Sequence, residues 1–145
     1  MFVGNLTETI KLGREFAHGL NPQSIILLKG PIGAGKTSFV QGIAEGLSIS
    51  EEITSPTFAL SHHYDTGRIP LIHLDLYRLE DDLIAKEFFI NEEEEANHNQ
   101  AIMVIEWPEL IQPMINNFWT IEISYAKNFG RNYKIFDPKN SLTLK

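Results

Sequence analysis

The stretch Gly30-Pro31-Ile32-Gly33-Ala34-Gly35-Lys36-Thr37 fills every slot of the phosphate-loop pattern: Gly, four residues, Gly, Lys, then Ser or Thr. An apolar run, Ile25 to Leu28, precedes it. Phe39, Val40, Ile43, Ala44 and Leu47 follow at helical spacing. Strand, loop, helix is the context the motif needs. The glycines let the backbone turn tightly and bring successive N–H groups toward an anion, while the helix behind points its partially positive end at the same place. In that arrangement Lys36 reaches the β- and γ-phosphates and the Thr37 hydroxyl holds Mg²⁺. Gly30 to Thr37, with the adjoining Ser38, are therefore the expected contacts of a nucleoside triphosphate. A Gly-rich turn that merely joins strand to helix is the plain alternative, and it explains neither the lysine nor the threonine.

The chain has 145 residues, enough for one ordinary domain with a sizeable core, so residues 1–145 are read as a single unit. Its formal charge is −7, which argues against a broad basic surface for a polynucleotide; any nucleic acid is expected on a partner. With no cysteine, disulfides, thiolate metal sites and cysteine nucleophiles are excluded. Met1 to Asn5 lacks the charged and apolar regions of a signal peptide, and no apolar run approaches the ~20 residues of a membrane span. A cytoplasmic location, away from membranes, is the expectation.

Asn5 followed by Glu8 resembles a capping box, and apolar spacing predicts a first helix over roughly Thr7 to Gly19. After the phosphate-loop helix, stopped near Gly46, the runs Thr57 to Tyr64 and Ile69 to Leu76 read as a hairpin turning at Asp65-Thr66-Gly67. Leu83, Ile84, Phe88 and Phe89 suggest a short helix, and Asn91 to Gln100, with its run of glutamates, a solvated loop. Ala101 to Ile105 is a continuous apolar run of the kind found at the centre of a parallel sheet. Pro108 can open a short helix, and Trp119 to Tyr125 and Tyr133 to Phe136 are further strands. The expected fold is α/β: a P-loop NTPase domain whose small mixed sheet is flanked by helices.

A triphosphate site needs a second Mg²⁺ contact and a group that orients the attacking water, and acids at the carboxyl ends of strands supply both in such folds. Asp75 and Glu106 each end an apolar run; the alternative for each is a carboxylate that simply faces water. Thr54-Ser55-Pro56-Thr57 is either a nucleotide-sensing loop or a turn before a strand. Trp107 is either core or a wall of the nucleotide pocket. His62 and His63 face opposite ways on a strand, and one of them with His73 could begin a zinc site that lacks a fourth ligand. Arg78 and Arg131 are candidate phosphate or partner contacts, with a surface salt bridge as the default.

Taken in series, Gly30 to Thr37, Thr54-Ser55-Pro56-Thr57-Phe58, His73-Leu74-Asp75-Leu76-Tyr77-Arg78 and Ile105-Glu106-Trp107-Pro108 resemble the TsaE (YjeE-type) P-loop ATPases over roughly Thr7 to Gln112. The phosphate loop belongs to many families; the later three motifs in that order are specific to this one. Pro31-Ile32, where the family often has Asp-Leu, and Ala85 to Phe88, where it often has a glycine, are departures. The resemblance implies an ATPase that works with TsaD and TsaB in making threonylcarbamoyladenosine in tRNA, meeting the tRNA only through them. By match of motif it gives Mg²⁺ roles to Thr37 and Glu106, the catalytic acid position to Asp75, and a switch-like role to the Thr54 to Thr57 loop; Lys36 is expected to be catalytic as well, and Thr57 and Trp107 to contact the nucleotide. ATP and Mg²⁺ are the implied cofactors. A small-molecule kinase is the competing enzyme class, although it usually carries an Arg-rich lid and the four arginines here are scattered. A switch that binds nucleotide without useful hydrolysis is the non-enzyme alternative.

Overall fold

The computed structural model describes residues 1–144. Its strands are β1 (Phe2–Val3), β2 (Ile25–Lys29), β3 (Ser61–Tyr64), β4 (Leu71–Asp75), β5 (Ile102–Glu106), β6 (Trp119–Tyr125), β7 (Arg131–Phe136) and β8 (Leu142–Leu144). The helices are α1 (Leu6–Ala17), α2 (Lys36–Gly46) and α3 (Asp82–Asn99). All eight strands join one sheet in the order β1-β7-β6-β2-β5-β4-β3, with β8 added to β7. The central run β6-β2-β5-β4 is parallel, and antiparallel pairs close both sides. The fold is thus the expected mixed α/β sheet flanked by helices.

Period-two alternation divides the core. Ile26, Leu28, Ile102 and Val104 face α1 and α2, where they meet Leu12, Phe39, Val40 and Ile43. Leu27, Ile72, Leu74, Met103 and Ile105 face the other way, onto Ala85, Phe89 and Ala96 of α3. A sheet covered on both faces explains why its central strands read as unbroken apolar runs. It also fixes where the acids go: Asp75 and Glu106 fall on the α2 side and are paired in register at the carboxyl ends of β4 and β5.

At the start of α1, Asn5 caps the Glu8 N–H at 2.9 Å while Glu8 reaches back to the Gly4 N–H at 2.7 Å. Helices α1 and α2 cross closely because Gly13 and Gly42 meet there; a Cβ on Gly42 would lie 2.2 Å from the Ile10 carbonyl oxygen.

Three expectations are corrected. The acidic stretch is helix, not loop, since α3 runs unbroken to Asn99. Asp81 caps its start by accepting from the Ile84 N–H, glutamate is a good helix former, and Glu92 is tied to β3 by Ser61 at 3.0 Å and His63 at 2.6 Å. The first half of the expected strand Thr57 to Tyr64 is a turn, closed by the Leu60 N–H on the Pro56 carbonyl, with Leu60 at φ 69°. Pro108 opens a turn closed by Ile111 and Gln112, and the helix it leads into is only the 3-10 turn Gln112–Met114. Strands β1 and β8 were not expected.

Candidate nucleotide site

Between β2 and α2 the chain turns through Gly33 at φ 77° and Gly35 at φ 97°, a left-handed conformation that glycine adopts without strain. Gly30 is small for another reason: a Cβ there would lie 2.9 Å from the Ile123 carbonyl oxygen of β6. The loop carbonyls are all occupied. Lys36 Nζ donates to Gly30 O at 2.6 Å and Pro31 O at 3.0 Å, Tyr125 OH to Ile32 O at 2.6 Å, and Arg131 to Gly33 O at 3.2 Å and Ala34 O at 3.1 Å. Acceptors that would repel an anion are therefore turned to protein donors. The N–H groups opening α2 have no side-chain cap, since Gly35 stands at the N-cap. Uncapped donors at a helix N-terminus, with the dipole behind them, form an anion-binding cradle.

The cradle opens into a cleft of about 400 Å³, within the range of ligand sites. Gly33, Gly35, Lys36 and Thr37 form its floor. Ser55, Thr57, Asp75, Tyr77, Glu106 and Trp107 also line it. Asp75 is 4 % exposed and Glu106 3 %, so these are buried acids rather than carboxylates facing water. Asp75 is held at both oxygens, by the Thr57 hydroxyl at 2.9 Å and the Tyr77 N–H at 3.0 Å. Glu106 accepts from His73 Nε2 at 2.9 Å. Lys36 is buried too, which pushes its ammonium below the ordinary lysine value, while Glu106, Asp75 and Glu109 work in the opposite direction. Its Nζ sits 4.6 Å from the centre of the Trp107 ring. Trp107 takes φ 55°, a strained choice for a bulky residue, and packs 4.9 Å from Tyr77. It is a wall of the cleft, not core.

A second cleft, of about 270 Å³, shares Gly33 and Gly35 with the first. Asn5, Thr9, Ser38, Phe129 and Arg131 line it, and Phe129 is 97 % exposed. Ser38 thus stands on this side of the loop, and Gly30, Pro31 and Ala34 shape the loop without lining the first cleft. Arg131 makes no salt bridge among the described residues; it holds the phosphate loop from behind and stacks 4.6 Å over Tyr125. Arg78 lies over exposed Phe58 at 4.7 Å. The supporting roles of Tyr125 and Arg131 left no signal in the sequence, because bonds from a side chain to a distant backbone follow no spacing. Tyr77 had one, as a neighbour of Asp75.

The histidines go to separate partners. His62 contacts Thr54 and Tyr64, His63 contacts Glu92, and His73 contacts Glu106. Among the described residues no group of three or more His, Asp or Glu side chains is placed to hold a metal ion, and no helix is long and apolar enough to cross a membrane.

The family model for TsaE, described as threonylcarbamoyl adenosine biosynthesis protein, matches residues 3–133. A protein of Nostoc sp. PCC 7120 named tRNA threonylcarbamoyladenosine biosynthesis protein TsaE is 38% identical over 135 residues, 93% of this chain and 83% of that one. The protein of the same name from Synechocystis sp. PCC 6803 is 43% identical over 74% of this chain and 69% of its own, and that of Bacillus subtilis 38% over 77% and 67%. The crystal structure of Bacillus subtilis YdiB superposes with a TM-score of 0.78 and 28% identity, covering 95% of this chain and 84% of that one. Motifs, fold and relatives agree, and the chain belongs to the TsaE family.

Proposed function

We propose that this chain is an ATPase of tRNA threonylcarbamoyladenosine biosynthesis, hydrolysing Mg²⁺–ATP to support turnover of a TsaD–TsaB enzyme. One observation carries the ATPase reading: a phosphate loop whose carbonyls from Gly30 to Ala34 are engaged by Lys36, Tyr125 and Arg131, leading into the uncapped start of α2, opens onto two buried acids, Asp75 and Glu106, that stand side by side in register. The names of the relatives support the pathway.

The donor set fits a triphosphate and Mg²⁺. Too few acids converge for a metal held by protein alone, whereas Mg²⁺ typically takes one or two protein oxygens and completes its shell with phosphate and water. Thr37 and Glu106 would hold it, and when bound it draws charge off the β- and γ-oxygens. Lys36 and the amides opening α2 bind the same oxygens. Asp75, fixed at both carboxylate oxygens, orients water toward the γ-phosphorus. The nucleoside end lies in the second cleft, where Phe129 offers a stacking face and Asn5, Thr9 and Ser38 offer polar groups.

Lys36 is the one cation lining the first cleft among the described residues, so transition-state charge is only partly met. Hydrolysis by the chain alone is accordingly slow, and a partner that donates a cation or orders the Thr54 to Thr57 loop raises it. With −7 of net charge on this chain, the tRNA rests on the partner. Multiple-turnover formation of threonylcarbamoyladenosine by TsaD and TsaB, with this chain or with Lys36→Ala, tests the reading. Product should exceed one equivalent of TsaD only with the parent. Equal yields with both forms would remove the proposed role.

A further inference from the structure

His73 lies mid-strand in β4 with no exposed surface, and its Nε2 is 2.9 Å from Oε1 of Glu106. The proposed reaction uses Glu106 but gives this histidine no task. An ionised carboxylate only accepts, so the ring nitrogen facing it carries the proton and donates. The other ring nitrogen, Nδ1, is buried with no hydrogen-bond partner. An apolar residue would leave no such unsatisfied atom in the sheet. The ring's single partner is therefore its evident purpose.

Glu106 ends its strand at the cleft, and its other oxygen, Oε2, receives no hydrogen bond among the described residues. A glutamate has three side-chain torsions to swing through. Among the described residues only His73 restrains them by a hydrogen bond.

We propose that His73 is a positioning residue that locks the Glu106 carboxylate, directs Oε2 into the cleft, and so sets the affinity of the site for the Mg²⁺–nucleotide pair. The assignment rests on the reading of the cleft as a Mg²⁺–nucleotide site. Donors that orient a metal-facing ligand from behind commonly govern metal affinity. Geometry is what carries it here: the two residues stand on adjacent parallel strands, on the same sheet face, two residues out of register, so the imidazole reaches along the sheet to the carboxylate.

The test is equilibrium binding of a fluorescent ATP analogue, with Mg²⁺ titrated and with EDTA, for the parent, His73→Phe and His73→Gln. Electron paramagnetic resonance of Mn²⁺ gives a second readout that needs no turnover. His73→Phe should raise the half-saturating Mg²⁺ about 10- to 100-fold and leave binding in EDTA unchanged. His73→Gln, whose amide can donate from nearly the same place, should lie close to the parent. In a Glu106→Gln background, His73→Phe should add little further shift.

A folded His73→Phe with the parent's Mg²⁺ requirement would overturn the proposal. So would an equal loss with and without metal, or a shift that persists in full without the Glu106 carboxylate. If circular dichroism shows His73→Phe unfolded, His73→Leu against His73→Gln makes the same comparison. A parent that binds the analogue independently of Mg²⁺ would instead refute the underlying site reading, and this proposal with it.

Discussion

The Thr57 hydroxyl donates to Oδ2 of Asp75 across 2.9 Å, tying the loop before the hairpin to the acid at the end of β4. Ser55 joins them, its hydroxyl 2.7 Å from that of Thr57. Thr57→Val keeps the shape and removes the donor, a bond to a charged group worth about 1.5–3 kcal/mol. Amide exchange in Thr54 to Phe58 should quicken, phosphate release should fall, and the melting temperature should drop by several degrees. Exchange as slow as the parent's would show that the loop is held by something else.

Lys36→Ala should cost about 2–5 kcal/mol of ATP binding, on the order of 30- to 4,000-fold in Kd, because a buried cation facing the phosphates is lost. Titration of the parent adds a pH signature. Burial lowers the Lys36 value, so on raising the pH it deprotonates before an ordinary lysine, whose value is about 10.4. ATP affinity should weaken through that alkaline window. Stability of the ligand-free fold moves the other way at this residue: the unfolded chain binds the extra proton there, so stability rises with pH through the window. Calorimetry across the alkaline range checks both signs.

The paired acids should separate by function. Glu106→Ala should weaken nucleotide binding only when Mg²⁺ is present, whereas Asp75→Ala should spare binding and reduce hydrolysis on the order of 10²-fold or more, the range of a positioned catalytic group. A Mg²⁺ titration of both variants decides between these assignments and their exchange.

What was legible follows from how the residues are packed. The phosphate loop was readable because its glycines, lysine and threonine are each demanded locally. Strands β2, β4 and β5 were readable because helices cover both sheet faces, leaving unbroken apolar runs. The acidic half of α3 was hidden because beyond Phe89 only Ala96 is buried, so almost no apolar period survives there. Strands β1 and β8, with two and three residues, are too short to carry an alternation. Asp75 and Glu106 could be proposed from strand ends, but their pairing depended on the register of β4 with β5. The turn at Thr57 to Leu60 was missed because it is closed on the Pro56 carbonyl with a leucine, not a glycine or asparagine, at positive φ.

Gly42→Ala tests the frame that carries the site. Its Cβ would meet the Ile10 carbonyl oxygen at 2.2 Å and the Gly13 Cα at 3.0 Å, so α1 must move off α2. Overpacking of this kind costs about 1–3 kcal/mol or more, a fall in Tm of roughly 3–10 °C for a chain of this size. A thermal melt at unchanged Tm would mean that the helices slide apart freely.

The most direct test of the ATPase account is steady-state phosphate release from Mg²⁺–ATP by the chain alone and with saturating TsaD and TsaB. The account predicts a low rate alone and a rise with the pair, up to ~10³-fold or more if the pair supplies a cation as an arginine finger does. Lys36→Ala should abolish it. An unchanged rate in the presence of the pair, with no complex on a sizing column in ATP, would contradict the account.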